Sequence, residues 1–245
     1  MSFSPNGAAI AVAHSVSPFV TAYPWSGSGF GTKYANPSTL PASTSHDVAF
    51  SPDGDAIAVA HDVTPFISVY PWSGSGFGTK FSDPSTLLPA GGNGITFSPD
   101  GSTLAVAHDN SPYISAYPWS SSTGFGTKYA NPATLPPNTA SGIAFSPDGN
   151  AIAIAHSGSP YVSAYQWSSS GFGAKYANPS VLPAFVSYGV AFSADNSTLA
   201  VAHDVTPFIT AYPWSPSTGF GSRYPVPVTK PANTGFGVAF TNYAV

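Results

Sequence analysis

The chain has 245 residues, of which 7% are charged, 42% hydrophobic and 14% aromatic, and its formal net charge is −4. The six Lys and Arg residues are spaced apart, so the sequence offers no basic patch for nucleic acid or anionic lipid. Cysteine is absent, which excludes a disulfide framework, a thiolate nucleophile and a cysteine zinc site. No apolar run approaches the ~20 residues of a membrane helix, and no signal peptide is evident. We expect a soluble protein of undetermined localisation.

A sequence repeat with a period of 47 or 48 residues extends through the whole chain. The Phe-Ser or Phe-Thr motif at Phe3 recurs at Phe50, Phe97, Phe145, Phe192 and Phe240. Five units follow one another, and a sixth copy of only the first segment, "GFGVAF", ends the sequence. Fixed self-similarity at this period is typical of a repeat fold.

Each unit is predicted to form four short strands, as the second unit shows in chain order. The first strand covers 47–50 and ends at the turn "SPDG", in which Pro and Asp-Gly occupy turn-favoured positions. The second strand covers 56–61, the third 66–72, and the fourth is "FGTKF" at 77–81. Turn signals at intervals of ~8–12 residues indicate an all-β protein.

The alternation within the second strand predicts how the sheets stack. Ile57, Val59 and His61 face one way, and the three alanines between and before them face the other. Large residues on one face and small ones on the other suit sheets that pack face to face. Lys80, which lies within the fourth strand out of phase with Phe77 and Phe81, is predicted to guard an outer edge against aggregation.

"VAFSPDG", followed by a small-residue strand and an aliphatic–aromatic strand, resembles the WD40-type β-propeller repeat. The tyrosines of the third strands fall where that family places its tryptophan: Tyr23, Tyr70, Tyr117, Tyr165 and Tyr212. The next residue, an aspartate in that family, is Pro or Gln here. The resemblance implies a propeller built from four-stranded blades.

We therefore predict a single five-bladed β-propeller spanning residues 1–245, with four antiparallel strands per blade. The final segment 237–240 is expected to pair into the N-terminal blade and close the ring. The predicted blade units are 1–46 with 237–245, 47–93, 94–141, 142–188 and 189–236.

One histidine ends the second strand of every unit: His14, His61, His108, His156 and His203. Asp follows three of them, and a His-Asp pair suits acid–base chemistry. These histidines also share the face of core Ile and Val residues, where they could bond to turn groups. We predict a structural role for them, with no metal and no cofactor.

Two further sets of residues are predicted ligand contacts. One tryptophan per unit precedes a Ser/Gly-rich turn and would offer a stacking face for a sugar: Trp25, Trp72, Trp119, Trp167 and Trp214. The alternative is that these rings seal the end of each blade. The loops before the first strands differ most between units and contribute His46, Phe185, Tyr188 and Phe236.

The units supply no unique catalytic motif, since the sequence has no glutamate, no Gly-x-Ser-x-Gly and no His-Glu-x-x-His. We predict a non-enzymatic, monomeric binding module with one weak site per blade for a glycan or another small polar ligand. The alternative is a protein-interaction or scaffold propeller, including a component of a larger particle. An enzyme of the hydrolase or lyase type is the third, least favoured class.

Overall fold

The computed structural model describes residues 1–240 of the chain. It is all-β: the described residues form twenty strands in five four-stranded antiparallel sheets, and no helix. Two compact units are distinguished, Met1–Asn110 with Ser115–Lys128 and Ser111–Ile114 with Tyr129–Val245. The predicted assignment of residues 1–245 to one domain stays a prediction.

The first three sheets follow each other along the chain. The first contains β1 (Ser2–Phe3), β2 (Ala9–Ala13), β3 (Val20–Ser26) and β4 (Gly29–Phe30). The second contains β5 (Ser45–Phe50), β6 (Ala56–His61), β7 (Ile67–Ser73) and β8 (Gly76–Phe77). The third contains β9 (Gly92–Phe97), β10 (Thr103–His108), β11 (Ile114–Ser120) and β12 (Gly124–Phe125).

The last two sheets have the same strand order. The fourth contains β13 (Ala140–Phe145), β14 (Ala151–His156), β15 (Val162–Ser168) and β16 (Gly171–Lys175). The fifth contains β17 (Ser187–Phe192), β18 (Thr198–His203), β19 (Ile209–Ser215) and β20 (Gly219–Phe220). In every sheet, neighbours in sequence are neighbours in the hydrogen-bonded order. This arrangement confirms the predicted fold class, a five-bladed β-propeller with four antiparallel strands per blade.

Neighbouring sheets pack small residues against large ones, as the alternation predicts. In the first compact unit, the alanines of β6 pack in one core cluster with Ile95, Leu104 and Val106 of the next sheet. The other face of β6 presents Ile57 and Val59 to the alanines of β2. All six side chains of β6 are buried, because the strand is covered on both faces.

The fourth strand is shorter than predicted in four of the five sheets. It contains only Gly and Phe, as in Gly76–Phe77, so Lys80 lies beyond the strand that it was expected to guard. The fourth sheet is the exception, with five residues in Gly171–Lys175. Gln166 replaces proline in the partner strand there, whereas Pro71 and its equivalents have no N–H to contribute to a ladder.

The predicted closing strand at the C-terminus is not observed as a strand. Residues 237–240 have no regular structure, and residues 241–245 lie outside the described residues. Gly237 nevertheless lies against β17, since a Cβ on Gly189 would come within 2.9 Å of the Gly237 Cα. Closure with the N-terminal blade stays a prediction.

The buried tyrosines of the third strands can be used to test how much a hydrogen bond from the tyrosine hydroxyl stabilises the fold. The hydroxyl of Tyr70 donates to the Thr39 carbonyl oxygen at 2.8 Å, whereas the buried Tyr165 hydroxyl has no partner among the described residues. We expect Tyr70→Phe to lower the free energy of unfolding by about 1 kcal/mol. The matched control Tyr165→Phe should leave it unchanged or raise it, because no hydrogen bond is lost. Equal losses in both variants, measured by urea unfolding, would contradict this account.

Candidate functional site

Four of the five repeated histidines are buried parts of the blades, whereas His14 is partly buried and directly follows β2. His61, at the end of β6, is fully buried, and its Nε2 lies 3.1 Å from the Ser68 hydroxyl on β7. The same cross-strand pair recurs as His108–Ser115, His156–Ser163 and His203–Thr210, at 2.9–3.1 Å. His156 also contacts the turn, with Nδ1 2.8 Å from the Gly158 carbonyl oxygen. The geometry ties the second strand to the third in each of these sheets.

Burial keeps these imidazoles uncharged. It lowers the pKa of His61 to about 4 and the pKa of His156 to about 4, and it also lowers the pKa of His203. A neutral, fully buried ring of this kind is shielded from solvent. The candidate acid–base pair of His61 with Asp62 therefore does not form a reactive site.

The tryptophans are not the exposed platforms that a sugar would need. Four of them are 5–8% exposed: Trp72, Trp119, Trp167 and Trp214. The Trp72 ring is surrounded edge-on by Tyr34, Phe50 and Phe77, each with its centroid 5.1 Å away. Trp25 is partly buried and contacts Phe3 and Phe30. These rings seal the blade ends, because aromatic edges occupy the space where a sugar would stack.

Three of the predicted loop residues belong to two separate aromatic pairs in the second compact unit, and Tyr188 is the partly buried one of the three. Phe236 is 73% exposed and lies 5.3 Å, centroid to centroid, from the ring of Tyr188. Phe185 is 46% exposed and lies 5.6 Å from the ring of Tyr161. Their role in ligand binding stays a prediction.

His46 is the one predicted loop residue that meets a complementary reactive partner. Its Nε2 lies 2.6 Å from Asp62 Oδ1, with the two side chains 39% and 46% exposed. In the neutral tautomer with its proton on Nε2, the ring donates to the carboxylate and its lone pair is on Nδ1. Asp62 thus pairs with the exposed imidazole across the hairpin rather than with the buried one beside it in sequence.

A β-bulge aims His46 at Asp62. The β5–β6 ladder pairs Ser45 with His61 and Asp47 with Ala60, so His46 has no partner strand residue opposite it. An extra residue of this kind leaves the pleat and redirects its side chain. The bulge recurs in the third, fourth and fifth sheets, where the equivalent residues are Asn93, Ser141 and Tyr188.

A second polar pair faces the first. Asn93 Nδ2 donates to Asp109 Oδ1 at 2.8 Å, repeating the geometry of His46 and Asp62 one unit later. Gly91 lies between the pairs: a Cβ placed on it would be 3.3 Å from both Asp62 Oδ1 and Asp109 Oδ2. The two carboxylate oxygens are therefore separated by no more than twice that distance. We call His46, Asp62, Asn93 and Asp109 the bulge cluster.

Asp47 anchors the strand that carries the bulge. Its carboxylate accepts the Val48 N–H at 2.9 Å and the Ile95 N–H of β9 at 3.0 Å, which links β5 to β9. Burial raises the pKa of Asp47, although these hydrogen bonds partly oppose that effect. Three other units have Gly at the equivalent position, so this link is specific to the second and third sheets.

The spacing of the polar residues in the sequence could have indicated the bulge cluster. His46–Asp62 and Asn93–Asp109 are both separated by 16 residues, the span from the bulge through one hairpin to the turn after β6 or β10.

Within the described residues, no three His, Asp or Glu side chains are placed to hold a metal ion. The same residues contain no helix long and apolar enough for a membrane span.

Comparisons with known proteins establish the fold and no family. A scan against protein-family models gives no match, and a search of curated proteins gives none either. Among solved structures, a protein from Bacteroides fragilis, provisionally assigned as a 6-phosphogluconolactonase, matches with a TM-score of 0.72 at 16% identity. The match covers 95% of this chain and 70% of that one. Membership of the WD40 family in particular stays a prediction.

This match contradicts the predicted function. The protein that shares the fold is assigned as an enzyme, not as a non-enzymatic module with one glycan site per blade. The burial of four tryptophans removes the stacking faces on which the repeated sugar sites depended. The likeness itself extends only to the fold, so the reaction has to be argued from the residues of this chain.

The buried histidines make stability sensitive to acid. The unfolded chain takes up a proton on each histidine near pH 6.5, whereas His61 and His156 do so near pH 4 in the fold. Folding free energy is therefore lost as the pH falls through this window, by up to about 1.4 kcal/mol per pH unit for each histidine.

We expect His61→Gln to be less stable than the wild type at pH 7, but to lose less further stability between pH 7 and pH 5. Urea unfolding at the two pH values measures this difference, and the contribution of Asp47 cancels because both chains contain it. Parallel losses in the two proteins would show that His61 does not couple protonation to unfolding.

Proposed function

We propose that the chain is a hydrolase that opens small uncharged esters or lactones at the bulge cluster. The observation that carries the proposal is the 2.6 Å contact between His46 Nε2 and Asp62 Oδ1 on an accessible surface. The enzyme assignment of the structure that shares the fold supports the reaction class.

In the proposed reaction, Asp62 holds the imidazole in the tautomer with its proton on Nε2. His46 Nδ1 removes a proton from water while the water oxygen attacks the carbonyl carbon of the substrate. The carbon–oxygen bond of the ester then breaks, and the leaving alkoxide takes the proton back from the imidazolium. A lactone gives one hydroxy acid, so no second product is released.

The charges of the cluster favour an uncharged substrate. It contributes two carboxylates, and His46 is its one basic side chain. A phosphate group would instead be repelled by Asp62 and Asp109.

We expect glucono-1,5-lactone to be hydrolysed above its spontaneous rate, and faster than its 6-phosphate, in a pH-stat assay. His46→Asn and Asp62→Ser should each lower kcat/KM by at least about 100-fold, since general-base catalysis contributes roughly 10²–10⁴-fold. The fold accepts both residues at equivalent positions, as Asn93 and as Ser15 or Ser157.

The matched control is Asp204→Ser, which makes the same exchange at the equivalent position of the fifth unit and should leave the rate unchanged. Absence of any rate above spontaneous hydrolysis would overturn the proposal. Full activity in both His46→Asn and Asp62→Ser would overturn it as well.

A further inference from the structure

The fifth sheet leaves its small-residue face uncovered. Within each compact unit, consecutive sheets meet by packing such a face against the large residues of the next sheet. Ile209 and Ala211 of β19 are nevertheless partly exposed, whereas Ile67 and Val69 at the equivalent positions of β7 are buried. A cavity of about 270 Å³ lies over this face, and Tyr224 lines it. The fifth sheet therefore presents one half of the sheet-to-sheet interface to solvent.

The first sheet presents the other half, the large-residue face. Phe3 is 47% exposed, whereas the first-strand phenylalanines of the other four sheets are 7–8% exposed. Tyr23 is partly exposed, although the third-strand tyrosines of the other sheets are fully buried. The two uncovered faces are thus of the two kinds that pack together elsewhere in the chain.

An aromatic contact is incomplete at both faces in a complementary way. In four cases a ring after the fourth strand lies edge-on to the tryptophan of the next sheet, at 5.0–5.3 Å: Tyr34–Trp72, Phe81–Trp119, Tyr129–Trp167 and Tyr176–Trp214. Tyr224 is the fifth such ring, but it is 43% exposed and contacts no other ring in residues 1–240. In the same range, the rings in contact with Trp25 are Phe3 and Phe30 of its own sheet. Tyr224 lacks a tryptophan, and Trp25 lacks a preceding ring.

The two ends of the chain are also complementary in their strands. β1 is a strand of two residues, whereas β5 has six. Val12 of β2 therefore has no first-strand partner among the described residues, although its equivalent Val59 pairs with Val48. The segment 235–238, "GFGV", corresponds in the repeat to the four residues that β1 lacks, as its match to "SYGV" of β17 shows. The C-terminal end thus has the residues that are missing from the first sheet.

We propose that copies of this chain associate head to tail, with the fifth sheet and C-terminal segment of one copy against the first sheet of the next. This contact continues, between two chains, the interface that joins consecutive sheets within each compact unit. A second copy is the occupant that these features favour, because it supplies the large-residue face, the tryptophan and the strand edge together. Such a heterologous contact repeats from copy to copy and produces a closed ring of chains or a filament.

This association takes the place of the predicted monomer. It is independent of the proposed hydrolase activity, because the bulge cluster belongs to the second and third sheets.

Sedimentation velocity on the whole chain tests the proposal. We expect the sedimentation coefficient of the wild type to rise with protein concentration. Phe3→Lys places a charge on the first sheet and Ala211→Lys places one on the fifth, so each variant alone should remain monomeric, since the contact would bury an unpaired charge. Tyr224→Lys, at a more exposed position, should act as Ala211→Lys does.

Mixing the two variants distinguishes head-to-tail association from contact between like faces. Phe3→Lys keeps an intact fifth sheet, and Ala211→Lys keeps an intact first sheet. An equimolar mixture should therefore form a dimer of one copy of each and nothing larger. Formation of this dimer would also show that both variants are folded.

The matched control is Ala177→Lys, the same exchange at an exposed alanine of the fourth unit, which should associate as the wild type does. Urea unfolding of each variant is measured first. A wild type that stays monomeric at every concentration, as closure of the two ends within one chain would require, would overturn the proposal. Association of either variant with itself would overturn it, and so would a mixture of folded variants that stays monomeric.

Discussion

The structure depends on one packing constraint, the contact of an alanine face on one sheet with the large side chains of the next. Ala56, Ala58 and Ala60 are fully buried and leave room for the aliphatic side chains that face them. An added methylene at such a position would force its neighbours off their rotamers, at a cost of about 1–3 kcal/mol. This complementarity explains why the second strands of the units are so similar to one another.

The same constraint determines where chemical variety is tolerated. Buried histidines, tyrosines and tryptophans are repeated because each completes a blade through a hydrogen bond or an aromatic contact. The exposed positions at the two ends of the sheets are free to change, and the bulge cluster lies there. The bulge in the first strand provides His46, which no other unit has at the equivalent position. The site therefore consists of departures from the repeat, supported by parts that do not vary.

The repeat also provides internal comparisons between equivalent positions of different units. A residue that is unusual in one unit has a natural replacement in another, in a backbone of the same geometry. Asn93 shows that asparagine is accepted at the position of His46, and Ser157 shows that serine is accepted at the position of Asp62. Loss of function in such variants can then be separated from loss of folding, which is difficult in a protein without internal repeats.

The sequence by itself determined the period, the four-stranded unit and the small and large faces, because these depend on alternation and turn residues that are local along the chain. It also indicated that His61 and its equivalents belong to the core. It misjudged the fourth strand, where proline in the partner strand limits the ladder, and it placed exposed stacking faces on tryptophans that neighbouring rings enclose. Only the tertiary structure decided that Asp62 pairs with His46 rather than with His61. This pairing depends on a bulge and on the register of a hairpin, which together bring two residues 16 positions apart into contact. Neither residue alone indicates it in the sequence.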